Sequence, residues 1–128
     1  MENFSLKIRV SFSDVHYGSN IVSNSFITKM FGDAITGFMG IYDGNESLLQ
    51  SWDEVSFLAP VLPGDFLEIN VYLYKESQLK RYFEVEAKRF LKLENLSNSN
   101  LLSCDQVVAR GKAIAVIPFE VYKKRKNK

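Results

Sequence analysis

Between Ser23 and Tyr42 the residues Phe26, Ile27, Met30, Phe31, Ala34, Ile35, Phe38 and Met39 recur as pairs four positions apart. That is the period of one helix with a broad apolar face. Ser23 or Asn24 can cap its start, and the turn-forming YDGNES (42–47) stops it. The rest of the chain alternates at the period of strands. SLKIRVSFS (5–13) sets Leu6, Ile8, Val10 and Phe12 on one face, against Lys7, Arg9 and Ser11 on the other. DEVSFLAP (53–60), DFLEINVYLYKE (65–76), RYFEVEAKRFLKLE (81–94) and QVVARGKAIAVIPFE (106–120) follow as strands of an antiparallel meander, with LPGD (62–65) as a tight turn and NLSNSN (95–100) as a polar loop. A single helix with so wide an apolar face has to bury it, and the economical solution is a sheet wrapped around it. The expected fold class is therefore an α+β roll filled by its long helix. Such a sheet has edge strands to cover, and a symmetric homodimer, or a higher assembly of dimers, covers them.

The 128 residues suffice for one domain, and 46% apolar with 13% aromatic content can fill its core. The expected division is a single domain over 1–122 and a disordered basic tail over 123–128. That tail, KKRKNK, holds five of the 16 basic residues, leaving eleven against fifteen acids and a net of −4 for the body. A nucleic-acid binder needs a basic surface on its folded part, so no nucleic-acid partner is expected. The lone Cys104 cannot pair internally, and MENFSLKIRV lacks the pattern of a secretory leader, which together suggest a reducing, cytoplasmic setting. No apolar run has the length of a membrane span, so no membrane partner is expected either.

The chain's one histidine, His16, stands in SDVHYGSNIVSNSF (13–26), immediately before the helix. DVHYGSNIV (14–22), FGDAIT (31–36), YDGNESL (42–48) and FLAPVLPGDFLE (57–68) follow one another in an order and spacing that resemble the beta-alanyl-CoA and 3-aminobutyryl-CoA ammonia-lyases of amino-acid fermentation, a family with the hot-dog fold. The resemblance is specific over about residues 6–70 and is carried beyond them by the strand pattern. It implies the hot-dog fold, an acyl-CoA substrate and no separate cofactor, coenzyme A being part of the substrate.

Eliminating ammonia from the β-carbon of an acyl thioester needs a base for the α-proton. It also needs hydrogen-bond donors for an oxygen turning enolate-like, and a proton for the departing amine. Unpartnered N–H groups where GSNIVSNS (18–25) enters the helix would suit the oxygen. Asn20 can add an amide donor, and Gly18 can let a backbone approach. His16 can donate to that oxygen or shuttle a proton near neutral pH, with Tyr17 hydrogen-bonding beside it. Both could equally pin a loop at a subunit contact; the resemblance favours the site. The expected substrate-binding residues are Asp14, Tyr17, Gly18, Ser19, Ile21 and Gly37, with orientation of the loop as the alternative role of Asp14. Asp33 falls with Gly37 and Gly40 at the edge of the helix's apolar face, where a carboxylate is either used, hydrogen-bonded or near the surface.

Gly37 is where the chain departs from the family pattern, which has a glutamate four residues after the aspartate; here GDAITG replaces it. An i, i+4 pair of acids would place two carboxylates over one substrate. With one missing, Asp33 or His16 must serve as the base, or the protein is slow, altered or inactive. On this reading Gly37→Glu should raise turnover and steady the helix. Cys104 reads as an inert thiol, and one histidine with Asp43 and Glu46 makes no usual metal set, so no metal is expected. Lys75, Lys80, Arg81 and Arg89 are the candidate cations for the phosphates of coenzyme A. The alternatives to a lyase are an acyl-CoA thioesterase of the same fold and a catalytically silent acyl-CoA-binding subunit.

Overall fold

The structure, a computed structural model, describes residues 3–126. Its elements run β1 (Asn3–Arg9), β2 (Val15–Tyr17), β3 (Ile21–Val22), α1 (Asn24–Tyr42), β4 (Leu48–Phe57), β5 (Phe66–Glu76), β6 (Lys80–Leu93), β7 (Leu101–Val116) and α2 (Phe119–Lys126). Ser23 caps α1, its Oγ accepting the Ser25 N–H, and the helix closes with the Asp43 N–H on the Met39 carbonyl. The face carrying Ile27, Phe31, Ala34, Ile35, Phe38 and Met39 is buried, as the four-residue pairing requires. It lies on Leu67, Ile69, Val71 and Leu73 of β5, Phe83, Val85 and Ala87 of β6, and the alanines 109, 113 and 115 of β7. Phe38 meets the Phe83 ring edge-on at 5.3 Å. Each buried Leu, Ile, Val or Phe is worth about 1.5–3 kcal/mol, so this one contact layer dominates the fold.

The large sheet is antiparallel, in the order β1-β5-β6-β7-β4. The expected meander holds for β5, β6 and β7 but not for β4, which pairs with β7 at the far edge. The side of β5 that a meander would give to β4 is taken by β1, whose Leu6 and Ile8 stand opposite Ile69 and Leu67. The chain therefore leaves β1 at one edge, crosses under the sheet as α1, and enters the opposite edge. A strap of residues 58–65 then carries it back across to β5.

Three expectations change locally. The first strand stops at Arg9 rather than at residue 13. Ser11 accepts the Ser13 N–H, while the Asp14 carboxylate accepts the Ser11 N–H, so side chains close a capping box that the strand ladder cannot match. β4 and β7 begin earlier than expected, at Leu48 and Leu101. The basic tail is helical rather than disordered through residue 126, and 127–128 lie outside the described residues. The physical cause is Asp43, whose side chain is fully buried: Arg125 Nη1 reaches its Oδ1 at 2.7 Å, Arg81 Nε reaches its Oδ2 at 3.0 Å, and the Arg125 guanidinium lies 4.1 Å from the Tyr42 ring centre. A buried carboxylate needs such partners, and the tail supplies one of them.

The buried parity of β6 reads Arg81, Phe83, Val85, Ala87, Arg89. Its apolar middle thus ends in an arginine on each side. Arg81 holds Asp43 at the end of α1, and Arg89 holds Asp65 of the strap at 2.8 Å.

Candidate active-site loop

Residues 11–22 form a polar finger between two buried stems, Val10 and Val22, each 2% exposed. β2 and β3 pair within it, Val15 opposite Val22 and Tyr17 opposite Ile21. Asp14 acts as the loop's organiser: its carboxylate closes the capping box and its carbonyl accepts the Ser23 N–H at 3.1 Å. His16 and Tyr17 are exposed, their rings meeting edge-on at 4.9 Å. Gly18, Ser19 and Asn20 turn the chain at the tip, closed by the Ile21 N–H on the Gly18 carbonyl. Ser19 and Asn20 take left-handed backbone angles, φ 61° and 60°. Asparagine tolerates this conformation; serine is held there at a cost of about 1–2 kcal/mol.

The expected site residues are displayed by one chain but not gathered by it. His16 lines an open groove with Ser13, Asp14, Ser23, Phe26 and Lys29. Ser19 and Asn20 line a separate cleft, with Phe12, Leu62, Asp65 and Leu96. That cleft measures about 160 Å³, below the roughly 300 Å³ at which small-molecule sites begin. Asp33 is exposed on α1.

The N–H groups of Ser25 and Phe26, at the start of α1, are bonded at 3.1 Å to the Oγ and carbonyl of Ser23. A Cβ placed on Gly18 meets nothing within 4 Å, so no backbone of the same chain approaches it. A Cβ on Gly37 would lie 2.6 Å from Cζ and 2.8 Å from Cε2 of Phe4. The ring of β1 occupies the place a side chain at 37 would take.

Among the candidate cations for coenzyme A, Arg81 and Arg89 are 2% and 8% exposed and committed to buried carboxylates. Lys80 is half-buried, and Lys75 stays exposed with its Nζ 4.9 Å from the Tyr82 ring centre. Sequence reasoning missed this division, although the signal was present: Arg81 and Arg89 share the parity of Phe83, Val85 and Ala87. Cys104 is half-buried, its thiol toward the Arg89 carbonyl at 3.6 Å.

The chain is 32% identical over 122 residues, 93% of its own length and 97% of the relative's, to the 3-aminobutyryl-CoA ammonia lyase of Acetoanaerobium sticklandii. The beta-alanyl-CoA:ammonia lyase of Clostridium propionicum superimposes with a TM-score of 0.87 at 24% identity, over 93% of this chain and 87% of that one. A hexameric hot-dog-fold thioesterase of Campylobacter jejuni superimposes with a TM-score of 0.72 at 17% identity, over 96% and 95% of the two chains. No family model matches the sequence.

Proposed function

The chain belongs to the family of the 3-aminobutyryl-CoA ammonia lyase, and on that premise we propose that it eliminates ammonia from a β-aminoacyl-CoA to give the enoyl-CoA. The observation that carries this reading is identity to the lyase spanning nearly the whole of both chains. The hot-dog fold, an α+β roll around its long helix, supports it.

In the reaction the α C–H bond breaks, its electron pair moves toward the thioester as an enolate, and the C–N bond then breaks with a proton delivered to the amine. Asp33, exposed on α1, is the candidate base. His16 is the candidate shuttle at neutral pH, and the Asn20 amide a donor to the enolate oxygen. Tyr17, Gly18, Ser19 and Ile21 frame the substrate, and Asp14 holds the loop that presents them. Because the groove of His16 and the cleft of Asn20 are open in one chain, the complete site is assigned to an interface with a second copy. The edge strand β4 offers a surface for it, with Leu48, Leu49 and Phe57 exposed. Among the described residues no helix is long and apolar enough to cross a membrane. A reducing, cytoplasmic compartment remains the setting proposed for the lone thiol.

The Phe4 ring over Gly37 favours a second reading, a subunit that binds acyl-CoA without turning it over. Incubation with crotonyl-CoA, with and without ammonium, separates the readings. Ammonium-dependent loss of the enoyl-thioester absorbance is expected for the lyase. Release of free thiol would instead mark a thioesterase, and binding without either change the silent subunit.

A further inference from the structure

We propose that Arg89, through Asp65, is a positioning residue for the active-site loop; the inference rests on the lyase reading for its kinetic consequence and on geometry alone for its structural one. Arg89 projects from the central strand β6 on the buried parity, and its guanidinium holds three oxygens, two of the strap and one of β7. Nη1 donates to Asp65 Oδ2 at 2.8 Å and to the Pro60 carbonyl at 3.0 Å, while Nη2 donates to Gln106 Oε1 of β7. The same Asp65 oxygen accepts the Leu62 N–H at 2.9 Å. Strap residues 58–65 are thereby tied to the middle of the sheet.

The other side of that strap carries the loop. The Val10 N–H bonds the Asp65 carbonyl at 2.8 Å, the Gly64 N–H bonds the Val10 carbonyl at 2.9 Å, and the Val22 N–H bonds the Val61 carbonyl at 2.8 Å. Val10 and Val22 are the two stems between which Asp14, His16 and Asn20 are displayed. Both stems of the loop thus hang on a strap that the buried Val61 and backbone bonds to Val108 hold against the core and that one guanidinium ties by charge to β6. Buried ion pairs are often no more stabilising than apolar residues of similar volume, so stability alone does not explain charges here. Fixing one geometry does, and an arginine fork reaching three acceptors is suited to it in a way a lysine is not.

Three variants test the assignment: Arg89→Met, Arg89→Lys, and Val85→Ala as a core deletion in the same strand, at a position paired with Val71 and Gly111. In the crotonyl-CoA and ammonium assay, Arg89→Met should lower kcat by about 100-fold, the scale of an ångström misplacement of catalytic groups, with KM for crotonyl-CoA changed far less. Arg89→Lys should fall between Arg89→Met and wild type. Val85→Ala should lose thermal stability without that kcat loss. Independently of turnover, amide exchange at Val10 and Val22 should quicken in Arg89→Met relative to the central amides of β6 and β7. If the single variant does not fold, Arg89→Met/Asp65→Asn removes both charges together and takes its place. Unchanged exchange at Val10 and Val22 overturns the positioning role whatever the activity. Accelerated exchange in a protein whose wild type shows no ammonium-dependent reaction upholds the positioning geometry and overturns the lyase reading instead. Equal kcat in Arg89→Met and Val85→Ala, with lyase activity present, reduces Arg89 to a structural residue.

Discussion

Gly37 invites a glutamate, and the structure says what that would cost. A glycine-to-alanine change inside a helix normally gains about 0.8–1.0 kcal/mol. At Gly37 the new Cβ would stand 2.6 Å from Phe4 Cζ, about 1 Å inside the distance of about 3.5–4.0 Å at which two carbons are comfortable. Overpacking of this kind costs about 1–3 kcal/mol. The expected sum for Gly37→Ala is therefore between about zero and 2 kcal/mol of lost stability. Gly40 lies nearly a turn further along α1 with nothing within 4 Å of its would-be Cβ. Gly40→Ala should therefore show the helix gain unopposed. In a Phe4→Ala background the obstacle is gone, and Gly37→Ala should become stabilising by about 1 kcal/mol. Urea midpoints of wild type, both single variants and the double variant measure the coupling, expected at about 1–3 kcal/mol as for other contacting residues. If Gly37→Ala stabilises wild type as much as Gly40→Ala does, the steric argument is wrong. It also reverses the expectation that Gly37→Glu alone steadies the helix: the fair test of a second carboxylate is Phe4→Ala/Gly37→Glu. A restored base there should raise ammonia-lyase turnover by about 10²–10⁴.

Asp33→Asn and His16→Gln distinguish the two candidate proton carriers: the variant that removes the working group should lose about 10²–10⁴ in kcat without a shift in melting temperature, and a rate untouched by Asp33→Asn would leave His16 as the base. Ser19→Gly relieves a left-handed serine and should stabilise by up to about 1 kcal/mol in urea titration; a loss would mean that the serine side chain makes a contact across an interface. Asp43→Asn leaves Arg81 and Arg125 with Glu76, at 3.4 and 3.7 Å, as their shared carboxylate in place of the nearer, fully buried Asp43. It should lower stability and loosen α2, read as an earlier urea midpoint and faster amide exchange there. A fully protected α2 in that variant would show that the latch is not electrostatic.

The helix was legible because its signal is local: eight apolar residues at one period, with a serine cap before and an Asp-Gly turn after. The strands were legible for the same reason, and so was the polar finger that carries His16 and Asn20. What escaped were decisions made between distant segments. Nothing in 53–60 says that β4 will pair with β7 rather than β5, because both partners offer compatible alternation; the choice follows from β1 taking β5. Nothing near Gly37 announces Phe4, which reaches it from the first strand. The two arginines of β6 were legible in principle, since period two places them with Phe83 and Val85, yet charge argued for the surface until their carboxylates were seen. The site divides in the same way. The resemblance proposes its residues, and the fold shows how Asp14 and the strap hold the loop that carries two of them, but His16 and Asn20 face different concavities and Asp33 faces outward. If these residues serve one reaction, as proposed, they must converge between chains rather than within one. An exposed base is therefore no argument against the chemistry: a second copy that covers it would exclude water and strengthen the interactions of every charge that it buries.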